Sequence, residues 1–226
     1  VFPHMTAPFF IGRALSISAL EYALETDRKI FVVAQEDPLV EIPEAKDLFR
    51  IGTIGQVLQI MRLHNGTIKA LFEAHERGRL YSARMEEPHY SAIVDPLAEE
   101  VIESPEIQAL SKNVRAELKR YLKEVKRHTE GVEKLSIEGE PAHRLADRIA
   151  PLLNMDLEKK QKLLETQNPQ VRLELVYERM IEEAEFKKVE RKLKERVQGQ
   201  IGRTQKEYYL NEQVKAIQKE LGQGED

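Results

Sequence analysis

The chain has 226 residues, 41% of them hydrophobic and 33% charged, with a net charge of −4 and no cysteine. That length allows two modest domains plus an extension. The missing cysteines exclude a disulfide framework and a thiolate metal site and suit a reducing compartment. Acidic and basic residues are mixed throughout, which argues against a general nucleic-acid binder. No apolar run approaches the ~18 residues of a membrane span, so no membrane partner is expected.

The first residues, Val1-Phe2-Pro3-His4-Met5, are apolar and read as the inside of a strand, with no initiator methionine and no basic leader. Both ends are therefore expected to be cut from a longer protein. Ser18 and Glu21 suggest a capping box, and Ile17, Leu20 and Leu24 share one helical face. Lys29 to Ala34 is an apolar run of strand length. Residues 36–47, with Pro38 and Pro43, read as a long loop. Residues 49–63 form another strand, in which Gly52 and Gly55 predict a bulge or bend. His64-Asn65-Gly66 then marks a hairpin, since both central positions can take positive φ. Residues 67–72, 79–84 and 90–94 supply three further strands. Short strands with one helix suggest a small, twisted, partly closed β domain over residues 1–98.

Residues 99–168 are expected to be a helical bundle. Ser104-Pro105-Glu106 places a cap, a first-turn proline and a first-turn acid in order. In the helix that follows, Val114, Leu118, Tyr121, Leu122 and Val125 take one side. Lys112, Arg115, Lys119, Lys123, Lys126 and Arg127 take the other. Gly131 and Gly139 bracket a connector, Pro141 opens a second helix and Asp156 caps a third. Short loops between short helices predict an antiparallel packing.

From Asn168-Pro169 to Gly222 no second proline interrupts, and helix formers dominate. The expected rod is roughly 80 Å long. Its apolar pattern changes along the way. Leu173, Val176 and Met180 are spaced to pack on the bundle. Val189, Leu193, Val197 and Ile201 recur every fourth residue and drift around the axis. Leu210, Val214, Ile217 and Leu221 return to a coiled-coil spacing. Residues 223–226 read as a truncated tail.

Catalytic motifs are missing. There is no G-x-x-x-x-G-K-[ST] phosphate cradle, and Gly222 and Gly224 read as a helix end. Ser111 and Lys112 are neighbours on a helix, so they face apart and cannot activate each other. His4, His64, His75, His89, His128 and His143 show no ligand spacing, so no metal is expected. Catalytic, cofactor and metal residues are accordingly expected to be absent. The basic face reads first as a solvated helix face and second as a contact for acidic partners or phosphate backbones. Glu117 and Glu124 blunt it. Phe2, Met5, Phe9, Phe10 and Ile11 read as core residues or as an exposed groove for unfolded polypeptide. Tyr208, Tyr209, Leu210, Val214, Ile217 and Leu221 read as helix–helix contacts or as a tip that touches substrate.

The stretch from Thr204 to Gly222, with Glu207-Tyr208-Tyr209-Leu210-Asn211-Glu212-Gln213 at its centre, closely resembles the segment preceding the ATPase module of bacterial Lon proteases. Val214 stands where that family usually has Met. Leu145-Ala146-Asp147 and Leu163-Leu164-Glu165-Thr166 resemble the family's helical subdomain. Gly12-Arg13, Ile30 to Gln35, Gly52-Thr53 and Leu63-His64-Asn65-Gly66-Thr67 resemble its N-terminal β domain. The resemblance covers essentially the whole chain. It implies an α+β fold, with a PUA-like β pseudo-barrel, a helical bundle and a long projecting helix. It implies a parent that is a homohexameric, ATP-dependent serine protease of the cytoplasm, degrading misfolded and selected regulatory proteins. ATP, Mg and the Ser–Lys pair belong to modules beyond Gly222. On this reading the chain is a substrate-recognition and assembly region, and its partners are unfolded or damaged proteins and other copies of the chain. A nucleic-acid-binding PUA-like module and a purely structural arm are the alternatives. The β region lacks a basic, aromatic-studded surface on which nucleic acid could stack.

Overall fold

The computed structural model describes residues 1–86, 88–125, 137 and 139–222, except for the side chain of Leu221. It is a mixed α+β structure, an antiparallel sheet followed by helices ending in one long helix. Five strands form the sheet: β1 (Thr6–Ile11), β2 (Lys29–Val32), β3 (Ile51–Arg62), β4 (Ile68–Glu86) and β5 (His89–Leu97). The order is β1-β4-β3-β2, with β5 also on β4. β4 is the spine. Along one edge β1 pairs with residues 68–73 and β5 with residues 77–86, while β3 takes the opposite edge.

Several sequence expectations need correction. Residues 67–72 and 79–84 are not two strands but parts of the 19-residue β4. The polar run between them reads as a break, yet Arg77 within it is buried by partners far along the chain. Residues 1–5 precede the first strand, and Phe2 is buried among the helices. Ser18 and Glu21 are not a cap, because α1 (Ala14–Glu25) begins four residues earlier, after an Arg13 that makes no side-chain capping bond. The hairpin forms, but only Gly66 takes positive φ, at 81°. Asn65 instead accepts a hydrogen bond from the Thr67 amide.

The bulge expected in β3 is present, with register shifts at Ile54/Gly55 and Val57/Gln59. A Cβ at Gly55 would sit 2.1 Å from the Glu73 carbonyl oxygen, so the strands could not approach this closely with any other residue there.

The helices are α2 (Pro105–Val125), α3 (Ala142–Ile149), α4 (Leu157–Glu165) and α5 (Pro169–Gly222). The caps expected at Ser104 and Asp156 form, and Asn168 supplies a third. Ser104 Oγ accepts from the Ile107 amide, Asp156 from the Lys159 amide, and Asn168 from the Gln170 and Val171 amides. The Lys159 amide bond holds the Asp156 carboxyl below its ordinary pKa. Leu173, Val176 and Met180 are fully buried beside Val114, Leu118 and Tyr121, as their spacing predicts.

Two apolar cores result. One lies under α1 and joins Leu20, Val57, Ile68 and Ala70. The larger one lies among the helices and also takes in Phe2 and Ile51. Buried polar contacts weld sheet to helices. Arg77 of β4 grips Asp147 of α3 through two hydrogen bonds of 2.6 and 2.9 Å and donates to the Leu164 carbonyl. Arg172 of α5 lies 3.6 Å from the same carboxylate. Gln161 donates to the Ile51 carbonyl and Arg148 to the His4 carbonyl.

Candidate functional site

Three surfaces were expected to carry function, and the structure treats them differently. On β1 the pleat sends successive side chains to opposite faces. Phe9 turns inward and meets Phe72 edge-on, with ring centroids 5.8 Å apart. Phe10 turns outward and is 67% exposed, with the Lys69 ammonium 5.7 Å from its ring centre. The two phenylalanines thus belong to different environments.

Register shows what accompanies Phe10. It lies opposite Lys69, which lies opposite Met61, so the three form one row across β1, β4 and β3. Pro8, Leu71 and Gln59 form the next row. Phe10, Met61 and Pro8 are exposed and Leu71 is half-buried. Beyond them Thr6, Glu73 and Gln56 close the patch with polar groups. Hydrogen bonds from Gln56, then His75, hold the Glu73 carboxyl below its ordinary pKa. An apolar patch with a charged rim is thus laid on the uncovered side of the sheet. Pro8, Met61 and Leu71 were missed by sequence reasoning. Pro8 shares its face with Phe10 through the pleat of β1 alone, whereas only the pairing register, a non-local property, brings Met61 and Leu71 beside it.

The basic face of α2 is less continuous than its spacing suggests. Lys112, Lys119 and Lys123 are exposed. Arg115 turns to the connector and donates to the Ile137 and Glu140 carbonyls at 3.3 and 2.6 Å. Glu117 pairs with Arg120, and Glu124 with Arg191 of α5. Lys126, Arg127, His128 and Gly131 lie outside the described residues.

At the far end of α5, Tyr208, Tyr209, Leu210, Val214 and Ile217 are all exposed, and the Leu221 side chain lies outside the described residues. Tyr209 Oη accepts a hydrogen bond from Gln213. These side chains do not meet Phe9 or Phe10.

One cleft of about 220 Å³ opens at the seam between sheet and helices, lined by His4, His75, Glu76, Arg77, Glu99 and Arg172 among others. Glu99 there receives His4 and Arg144 at 3.3 and 3.4 Å. Burial pushes the Arg172 guanidinium below its ordinary pKa, and Asp147 opposes that shift. Most of the charges lining the cleft, Arg77, Glu99 and Arg172 among them, are already paired or bonded, which makes it a joint more than a receptor. Among the described residues no cluster of three or more histidine or acidic side chains could hold a metal ion. No helix of the described residues is long and apolar enough to cross a membrane.

A family model described as the ATP-dependent protease La (LON) substrate-binding domain matches residues 1–182. The chain belongs to this Lon substrate-binding family. It is similar over its full length to Lon protease 1 of Syntrophobacter fumaroxidans, at 41% identity over 226 residues, and covers 28% of that relative. It is 38% identical over 227 residues to the Lon protease of Escherichia coli strain K12, again over 100% of this chain and 29% of the relative. The chain thus spans under a third of the length of these curated Lon relatives. Its fold is similar to that of the N-terminal domain of Mycobacterium avium complex Lon protease, with a TM-score of 0.65 at 19% identity, covering 80% of this chain and 91% of that one. The Lon N-terminal domain protein from Xanthomonas campestris is a more distant match, with a TM-score of 0.54 at 15% identity, covering 77% and 89%.

Proposed function

We propose that this chain is the substrate-holding, non-catalytic portion of an ATP-dependent serine protease, and that it holds unfolded polypeptide on the outer face of β1, β4 and β3. The observation that carries this reading is the uncovered patch of Phe10, Met61, Leu71 and Pro8 across three paired strands. A degradation machine must accept many damaged or misfolded sequences. A flexible methionine beside a phenylalanine adapts to different apolar side chains without reading any sequence. Lys69, between Phe10 and Met61, and Glu73, in the polar row beyond, disfavour wholesale aggregation while leaving the apolar side chains available. Contact at one such patch is weak. In a homohexameric parent, six copies on one ring raise the effective affinity by avidity. ATP and Mg act in modules outside this chain, and the setting is the cytoplasm. Nucleic acid is the weaker reading, because Arg115, Glu117 and Glu124 break the α2 basic face.

The test is a fluorescence titration of reduced, carboxymethylated α-lactalbumin against its native form, at low and high salt. Unfolded protein is expected to bind and native protein is not, with little change on adding salt. Replacing Phe10→Asp together with Met61→Asp should weaken binding by about tenfold or more, roughly 1.4 kcal/mol, at an unchanged melting temperature. Equal binding of both forms, or an unaffected double variant, would overturn the reading.

A further inference from the structure

Every described side chain of α5 from Val189 to Gly222 is exposed, yet the charges along it are uneven. Residues 187–206 carry eight basic and two acidic side chains, a net +6 in a chain whose total is −4. At about 100° per residue, Phe186, Val189, Leu193, Val197 and Ile201 fall within one sector about 120° wide. The basic side chains fill the arc on either side of it. Leu210, Val214 and Ile217 lie about 110° further round. The helix therefore presents two separate apolar stripes, and only the nearer one is flanked by positive charge.

That charge decides what can cover the nearer stripe. Two copies pairing stripe to stripe would bring +6 against +6 within the ~8 Å screening length of physiological salt. A partner needs apolar side chains among acids. Residues 36–47 have that composition, with five acidic side chains and one basic, a net −4. Leu39 and Ile42 stand out from this loop at 86% and 66% exposure. Arg13, bonded to Gln35 and the Pro38 carbonyl, fastens the loop's base to the start of α1, and Glu44 and Asp47 cap each other's backbone. The projection is therefore held in place. Residues 95–106 are also acidic, but Glu99 is held by His4 and Arg144, and Val101 is their only strongly exposed large hydrophobic residue.

We propose that the basic, apolar-striped segment of α5, residues 187–206, docks on the acidic loop of residues 36–47 in a second copy of this chain. Leu39 and Ile42 enter the stripe between Val189 and Ile201, and the loop carboxylates face the flanking lysines and arginines. The contact is head to shaft and not symmetric, so it links copies in series and can close a ring. It does not depend on the polypeptide-capture reading, because Phe10 and Met61 take no part in it.

The absence of native cysteine makes the test direct. Copies bearing Leu39→Cys are mixed with copies bearing Val197→Cys under mild oxidation. A disulfide between the two is expected at least about fivefold faster than between Leu39→Cys and Tyr209→Cys. The excess should vanish in high salt. It should also vanish when the loop carries Glu36→Lys and Glu41→Lys, or the helix Lys194→Glu and Arg196→Glu, all at exposed sites whose folding is checked by circular dichroism. Equal rates for both cysteine pairs would overturn the proposal. So would loss of the excess only on Glu100→Lys with Glu103→Lys, which would assign the partner to residues 95–106. Competition by a DNA duplex with no disulfide between copies would assign the segment to nucleic acid and overturn it too.

Discussion

Asp147 is fully buried and faces two guanidinium groups, Arg77 at 2.6 Å and Arg172 at 3.6 Å. Neutral acceptors complete the network, since Arg172 donates to the carbonyls of His143, Thr166 and Gln167. Its Nε, also buried, has no hydrogen-bond partner. One carboxylate thus answers two buried cations, and its removal leaves both without a counter-charge. Breaking a buried pair in this way costs about 3–5 kcal/mol, because desolvation is no longer offset. Asp147→Asn is expected to lower the unfolding free energy measured by urea titration by that much. Replacing the pair together, Arg77→Met with Asp147→Leu, should cost less than Asp147→Asn alone, because only Arg172 and not both cations then loses its counter-charge. A double variant worse than the single one would show that the pair itself, not the orphaned charge, carries the stability. None of this was legible residue by residue. Arg77 and Asp147 lie 70 positions apart, and Arg77 sits in a polar run that resembles a loop.

At the scale of elements, the glycines separate two demands. Gly55 is fixed by its neighbours, since a Cβ there meets backbone that cannot yield. Gly199 and Gly202 lie inside an exposed helix with open space where a Cβ would be. Nothing in this chain requires them, and each weakens the helix by about 1 kcal/mol relative to alanine. Gly55→Ala is therefore expected to destabilise the sheet by about 2 kcal/mol or more through overpacking. Gly199→Ala with Gly202→Ala should instead raise helicity at 222 nm and leave the urea midpoint of the cores unchanged. The sequence showed most elements because their signals are local: Pro169 and Asn168 open α5, Asp156 caps α4, and Gly66 turns the hairpin. It misplaced the start of α1 because Ser18 has the right chemistry one turn too late. It split β4 because that strand's central polar residues belong to a seam assembled from distant helices. The outer sheet patch was half visible. Phe10 stood out as an aromatic residue, while Met61 and Leu71 join it only through register.

For the whole molecule, the decisive fact is where burial ends. Among the described residues, Ala184 is the last buried hydrophobic residue of α5, and Arg191 makes its last ion pair with the bundle, to Glu124. A surface pair of that kind contributes at most about 1 kcal/mol. Beyond it roughly 45 Å of helix carries its own weight. A solvated helix of this length is marginal in water, since most helical stability in proteins comes from packing. Amide hydrogen exchange should therefore split α5 in two. Amides of residues 173–184 are expected to exchange only with global unfolding, and those beyond residue 192 orders of magnitude faster through local opening. Deleting residues 193–222 should leave the melting temperature within about 2 °C, because neither core loses a buried side chain. Uniform protection along α5 in a dilute, monomeric sample would refute this division. Protection that appears in residues 187–206 only as concentration rises would instead report the arrival of a second copy on the basic stripe, so the same measurement separates a rod that stands alone from one that is stabilised by what it holds.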